Sequence, residues 1–300
     1  MKKLITGGTG LIGSEFETGI KISSREFDLR VQSEVDQMFS QHLPTHVVHT
    51  AAKVGGVLAN MNYMNNFFID NIRINTNVIE SARLHGVKKL IAFTSTCVFP
   101  NEVKYPLREE FLHQGPPHES NYGYAYAKRM ADVQIQSSNQ QYGTKYFTVI
   151  PTNVYGPNDN YDLENGHVLP SLIHRCYLSK QQQTDFEVWG CGEALREFVF
   201  SKDVSKICDI LLEKYNETTP VIISTSQEYS IKQVVNLIVD IIGFNGKVIW
   251  NTSKPEGQHR KPTDTTRIKS IIGNYEFAPL ERGLEETISY FIENYDKARK

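Results

Sequence analysis

The chain has 300 residues, 40% of them hydrophobic, enough to bury a substantial core as one large domain or two joined lobes. A formal net charge of −2 leaves no basic excess for nucleic acid or an anionic membrane, and no apolar run reaches the roughly 18 residues of a membrane span. Cys97, Cys176, Cys191 and Cys208 show neither a C-x-x-C pair nor metal-ligand spacing, and the amino terminus lacks an apolar signal core, so a soluble, cytoplasmic, metal-free protein acting on a small molecule is expected.

Lys2 to Thr6 reads as a short buried strand, followed at once by Gly7-Gly8-Thr9-Gly10-Leu11-Ile12-Gly13. Glycines at 7, 10 and 13 permit a tight turn, close backbone approach to a pyrophosphate and close helix packing. Gly7, Gly10, Leu11, Ile12 and Gly13 are therefore expected to cradle a dinucleotide, with helix-terminal amides facing its phosphates. The helix after Gly13 should be short, because Glu17-Thr18-Gly19 interrupts its pattern before a second strand, Ile20 to Ser24. At the end of that strand Ser24 and Arg25 offer a hydroxyl and a guanidinium suited to a 2′-phosphate, which favours NADP(H) over NAD(H). A plain surface arginine is the competing reading of Arg25. Asp28 comes late for the ribose and is placed near the adenine.

Val31 to Leu43 is patterned as an amphipathic helix stopped by Pro44, and Thr45 to Ala52 as a third strand. Gly55 and Gly56 then let a loop pass closely over a cofactor, or simply turn at the surface. The next helix, from about Asn66 to Leu84, carries Phe67, Phe68, Ile72, Val78, Ile79 and Ala82 as a core or subunit stripe. Lys88 to Ser95 is a fourth strand, Tyr124 to Tyr142 a helix, and Lys145 to Ile150 a fifth strand running into Pro151-Thr-Asn153. Tyr124 and Lys128 stand four apart on one helix face, where an ammonium is expected to lower the pKa of a phenol, and Ser95 can reach the same substrate oxygen. Alternating strands and helices predict an α/β fold of the Rossmann type, a doubly wound parallel sheet with ligands at its carboxyl edge. Residues 1–165 form the expected cofactor lobe, with return elements near 195–225. Residues 166–300 form a smaller α/β substrate lobe, with a helix over 167–179, a strand at 186–189, helices near 203–215 and 231–242, a strand near 247–250 and a helix from about Leu284.

The glycine loop, Ser95 and Tyr124-x-x-x-Lys128 resemble the extended short-chain dehydrogenase/reductases acting on nucleotide sugars. Ala51-Ala-Lys-Val-Gly-Gly56, Ser95-Thr-Cys-Val-Phe-Pro100, Pro151-Thr-Asn-Val-Tyr-Gly-Pro-Asn-Asp-Asn160, Gly166-His-Val-Leu-Pro170, Arg196-Glu-Phe198 and Ser253-Lys-Pro-Glu-Gly257 resemble, in order and over nearly the whole chain, the GDP-L-fucose synthase family of bifunctional epimerase-reductases. The resemblance implies GDP-4-keto-6-deoxy-D-mannose as substrate, Cys97 as epimerisation base and His167 as acid. It also implies that Ser95 and Tyr124 hold the enolate oxygen, that Tyr124 protonates O4 on reduction, and that Lys128 holds the nicotinamide ribose. Ala51, Ala52, Pro151, Asn153, Val154 and His167 would join the NADP(H) contacts, and Asn153, Arg175, Trp189, Arg196, Glu256 and Lys261 the GDP-sugar contacts. For Trp189 a core position competes. A homodimer through Phe67, Phe68 and the Tyr124 helix is expected by analogy. Two departures stand out: the helix after Gly13 is roughly two turns shorter than the family's, and Thr9 stands where some members carry a basic residue. Alternatives are another nucleotide-sugar 4-reductase, epimerase or dehydratase; the pairing of Cys97 with His167 argues against the epimerase and the dehydratase. A non-catalytic nucleotide-binding protein is a further alternative, and the retention of all five reactive residues argues against it.

Overall fold

A computed structural model describes residues 1–254 and 259–300 of the chain. The first half runs β1 (Lys3–Thr6), β2 (Ile20–Ile22), α1 (Gln32–His42), β3 (His46–His49), α2 (Val57–Asn62), α3 (Met64–Leu84), β4 (Lys89–Phe93), α4 (Tyr122–Tyr142) and β5 (Lys145–Pro151). The second half runs β6 (Asn153–Tyr155), α5 (Val168–Gln182), β7 (Phe186–Trp189), β8 (Leu195–Phe200), α6 (Ser201–Lys214), β9 (Val221–Ile223), β10 (Glu228–Ser230), α7 (Ile231–Ile242), β11 (Val248–Asn251), α8 (Thr266–Ile272) and α9 (Leu280–Glu293).

Six strands make one sheet in the order β2-β1-β3-β4-β5-β9, and every pairing in it is parallel. Its middle strands are apolar on both faces because helices cover both. Along β1 the period-2 alternation of strand side chains sends Leu4 to a core shared with Val35, Phe39, Val78 and Ile79, and Ile5 to one shared with Val204, Ile207 and Leu211. Each such side chain, fully buried, contributes about 1.5–3 kcal/mol. Thus α1, α3 and α4 lie on one face, and α6 and α8 on the other. A three-stranded sheet (β10-β8-β6) and a two-stranded one (β11-β7) surround a separate core of α5, α7 and α9 side chains, including Ile173, Ile238 and Phe291. A capping box of Ser230 and Gln233 starts α7, and Gly243, at φ 68°, ends it.

Three observations differ from expectation. After Gly13 there is no α-helix but a single 3-10 turn, Gly13–Glu15, since Phe16 leaves it in extended backbone and buries its ring in the core of the α6 face. Phe67 is 4% exposed, so it belongs to the interior rather than to a subunit contact, while Phe68 is half-buried. Strands β6, β8 and β10 and helix α8 lacked a periodic signal, being short or set among turn residues. Among the described residues Cys97, Cys176 and Cys208 are free thiols, and no helix is long and apolar enough to cross a membrane.

Candidate active site

The glycine loop leaves the carboxyl end of β1, which lies between β2 and β3 in the sheet. Gly7 sits at φ 69°, where a side chain is strained, and a Cβ there would stand 2.8 Å from Thr50 Oγ1 and 2.9 Å from the Ala51 backbone. A Cβ on Gly13 would collide with the Gly7 carbonyl. The loop closes on itself through Gly10 N–H to Gly7 O (2.9 Å) and Ser14 N–H to Gly10 O (3.0 Å). Leu11 packs beside Gly156, and Ala51 donates its N–H to Thr6 Oγ1 at 3.4 Å, so Leu11, Ala51 and the turn after β6 border one cradle. This backbone-lined cradle fits a dinucleotide pyrophosphate, although one 3-10 turn supplies little of the helix dipole expected there. Beyond β2, Ser24 and Arg25 are exposed, and Arg25 makes no ion pair or hydrogen bond among the described residues. Asp28, by contrast, is committed to Arg30 through a bidentate pair (Arg30 Nη2 to Oδ2, 2.7 Å), which holds its carboxyl below the usual range.

Elsewhere along the same carboxyl edge, β4 delivers Ser95. Its backbone is extended (φ −160°, ψ 158°), and its Oγ accepts the Cys97 N–H at 3.5 Å as the cap of a 3-10 turn, Thr96–Val98. Helix α4 packs alongside. Lys128, 1% exposed, donates to the Phe93 carbonyl at 2.9 Å and lies 6.0 Å from the centre of the Tyr124 ring. Burial drops the Lys128 ammonium to about 8 and drives the Tyr124 phenol well above its ordinary range. The expected lowering of Tyr124 is therefore reversed: Lys128 donates to a carbonyl, and desolvation, with Cys97 acting in the same direction, raises the phenol. A phenol in that state is a proton donor. Burial likewise pushes the Cys97 thiol up, opposed by Ser95 and by the charges of Lys261 and Lys128. Lys261, lowered by its own burial, feels both Cys97 and Arg196, which places these three groups together. Arg196 is held by the Leu195 carbonyl at 2.7 Å. Sequence reading missed Arg129, whose buried guanidinium donates to Val98 O (2.5 Å) and Gly115 O (2.6 Å) and so pins the Ser95–Cys97 turn to α4.

His167 stands on the opposite wall, immediately before α5, with a half-exposed ring. Its Nδ1 lies 3.9 Å from Asp159 Oδ1. Partial desolvation lowers its pKa, but the Asp159 carboxylate outweighs that and leaves the imidazole above its ordinary value. The two walls meet through the Gly55–Gly56 loop: Gly56 N–H donates to Asn165 O at 2.8 Å, a Cβ on Gly55 would lie 3.0 Å from the Phe67 ring, and Phe67 meets Tyr124 edge-on at 6.4 Å. Farther out, Trp189 is half-buried at the end of β7 rather than in the core, between the Arg175 guanidinium at 4.6 Å and the Lys254 ammonium at 5.4 Å. Arg175 also donates to Leu163 O at 2.8 Å. Pro151 ends β5, Val154 lies in β6, and exposed Asn153 donates to the Glu197 carbonyl at 2.8 Å. The Glu197 side chain, also missed, is buried and accepts from Ser224 Oγ (2.8 Å), Thr263 N–H (3.0 Å) and Thr263 Oγ1 (2.6 Å), tying the chain around Asn153 to the segment after Lys261. Glu256 lies outside the described residues.

Residues 3–224 match the model of the NAD dependent epimerase/dehydratase family. A GDP-L-fucose synthase from Dictyostelium discoideum is 42% identical over 99% of this chain and 97% of its own, and one from Escherichia coli K12 is 34% identical over 98% of each. A solved structure of a GDP-L-fucose synthetase from Naegleria fowleri bound to NADP superposes with a TM-score of 0.93 at 40% identity, covering 99% of this chain and 94% of that one. With the parallel sheet, the glycine cradle and the Ser95, Tyr124 and Lys128 cluster in the same chain, the protein belongs to the NAD dependent epimerase/dehydratase family and, within it, to the GDP-L-fucose synthases.

Proposed function

We propose that this protein carries out the 3,5-epimerisation and NADPH-dependent 4-reduction of GDP-4-keto-6-deoxy-D-mannose to GDP-L-fucose. The observation that carries the reading is the convergence of Ser95, Cys97, Tyr124, Lys128 and Lys261 beside the glycine cradle at the carboxyl edge of the sheet. A ketone at C4 acidifies the protons on C3 and C5. Cys97, as thiolate, removes such a proton; the hydroxyls of Ser95 and Tyr124 donate to the enolate oxygen; and His167 returns a proton to the opposite face of the carbon. Lys261 and Lys128 favour the thiolate that burial opposes. When bound, NADPH supplies the hydride for C4. Tyr124, kept neutral by burial, delivers the proton to O4.

The remaining assignments follow the same reading. Gly7, Gly10, Leu11, Ile12 and Gly13 hold the cofactor pyrophosphate, Ser24 and Arg25 the 2′-phosphate, and Ala51, Ala52, Pro151 and Val154 the rest of the cofactor. Arg175 and Arg196 suit the GDP diphosphate, Trp189 a ring face, and Asn153 and Lys261 the sugar. The surface of α2, α3 and α4 leaves Met61, Tyr63, Met64, Tyr122, Met130 and Val133 exposed, which supports a homodimer through that face. The free thiols of Cys97, Cys176 and Cys208 support a reducing, cytoplasmic setting.

The test is incubation with GDP-4-keto-6-deoxy-D-mannose and NADPH, following the reduced-nicotinamide absorbance and identifying the product by NMR. GDP-L-fucose with loss of NADPH is the expected result. GDP-D-rhamnose would overturn the roles of Cys97 and His167, and no loss of NADPH would overturn the substrate.

A further inference from the structure

We infer that Asp159 is a positioning residue for His167, its buried carboxylate fixing the ring orientation and keeping the imidazole in the form that can give a proton from Nε2. The inference rests on the proposed role of His167 and adds to it the group on which that role depends.

Asp159 is 4% exposed and lies on the loop between β6 and α5. One of its oxygens, Oδ1, accepts the Asn160 N–H at 2.7 Å and is the atom 3.9 Å from His167 Nδ1. The other, Oδ2, is buried with no hydrogen-bond partner among the described residues. A buried carboxylate oxygen without a donor is costly, and an adjacent imidazolium is the partner that answers it.

The loop is built to hold that carboxylate still. Tyr161 stacks on Phe291 with ring centres 4.3 Å apart and donates its hydroxyl to Pro157 O at 3.0 Å. Asp162 Oδ1 accepts the N–H groups of Glu164 (2.9 Å) and Asn165 (2.6 Å), and Ser171 Oγ donates to Asp162 O at 3.0 Å. His167 therefore enters α5 from a fixed direction.

The surroundings explain why a counter-charge is needed. His167 directly precedes the amino end of α5, where the helix dipole disfavours a cation. Arg299 adds a second opposing positive charge from the carboxyl-terminal segment. Asp159 is the group on the other side of that balance, and Tyr161, whose phenol burial and Asp159 both keep neutral, does not compete for the charge. With Nδ1 turned to Asp159, the Nε2–H bond breaks as the new C–H bond forms on the sugar carbon, and the imidazolium becomes neutral imidazole.

The test is the NMR titration of the His167 ring, assigned by its loss in His167→Asn, in the full-length wild type and in Asp159→Asn. In the wild type His167 should titrate above the ordinary value of about 6.5, and in Asp159→Asn at or below it, with the imidazolium-to-imidazole ratio falling about tenfold for each pH unit by which the midpoint moves down. Solvent deuterium incorporation at C3 and C5 should fall in kcat rather than KM, the limb of its pH profile set by His167 should move with the titration, NADPH binding should be unchanged, and Asp159→Glu should recover part of the loss. An unmoved His167 titration in folded Asp159→Asn overturns the inference. Should that variant not fold, a wild-type His167 titrating at or below 6.5 overturns it alone. If the sugar is turned over normally while the titration does not move, only the Asp159 assignment fails; if His167→Asn leaves deuterium uptake intact, it is the proposed acid that fails.

Discussion

The adenine side and the catalytic side of the sheet are built to different standards. Between Gly13 and Ser24 the protein has one 3-10 turn and a three-residue strand, and the groups offered to a 2′-phosphate stand free in water. Between β4 and α4, a 21-residue helix buries Lys128, and Arg129 clamps the turn carrying Ser95 and Cys97. A phosphate can be held by backbone amides on a tight loop, so the supporting helix can be trimmed. Proton transfer requires side chains fixed to within a fraction of an ångström, so its scaffold cannot.

Substitutions on each side can break this contrast. The largest effect is expected for Tyr124→Phe, which should lower reduction by about 10²–10⁴-fold while NADPH binding, measured by fluorescence, stays intact. Cys97→Ser should slow deuterium uptake at C3 and C5 by about 10²-fold, again without loss of cofactor affinity, and unchanged uptake would remove the base assignment. On the other side, Gly13→Ala forces a methyl into the Gly7 carbonyl. At an overpacking cost of about 1–3 kcal/mol, NADPH affinity by calorimetry should weaken about 5–150-fold, while the Tyr124 environment is undisturbed.

His49 joins the two sides and gives a pH test. It is buried and neutral, bonded to Thr6 Oγ1 of β1 at 2.7 Å and to Asn75 Oδ1 of α3 at 3.1 Å, and Asn75 reaches the Ala127 carbonyl of α4 at 3.4 Å. Burial, helped by Lys128, depresses its pKa to about 3. Because the unfolded chain binds this proton near pH 6.5, the stabilisation is complete above that pH and is lost on acidification toward pH 3, at about 1.4 kcal/mol per pH unit. Denaturant titrations should show that component of the slope in the wild type and not in His49→Phe. The smallest effect is expected for Arg25→Ala, about fivefold weaker NADPH binding with NADH binding unchanged, as befits one exposed ionic contact.

The parallel sheet was legible because β1, β3, β4 and β5 are apolar runs between amphipathic helices, and a return strand was readable over Val221–Ser224, one residue longer than the observed β9. Tyr124 and Lys128 were legible from their helical spacing. Cys97 and His167 were visible only through family resemblance, since a lone thiol or imidazole carries no period. Asp159, Arg129 and Glu197 gave little signal: each matters through the backbone groups or rings it meets across loops, and such meetings leave no pattern in the chain. An Asn-Asp-Asn run directly after a proline was the one hint at Asp159. The reversed pKa of Tyr124 could not have been read from spacing, because it depends on how deeply the hydroxyl is desolvated.

The return of β9 to the edge of the first sheet has a consequence for engineering. The chain leaves the six-stranded sheet after β5, builds β6 to α6, and comes back to pair Val221 with Val149. A truncation after residue 165 would therefore not release an autonomous cofactor-binding module. It would strip the outer strand and the α6 cover from β5, exposing a row of unpaired backbone groups next to Phe147 and Val149 as a template for aggregation. Grafting a different sugar lobe onto this scaffold must accordingly leave α6 and β9 with the first sheet, splicing before β6, between β8 and α6, and after β9, rather than at one seam.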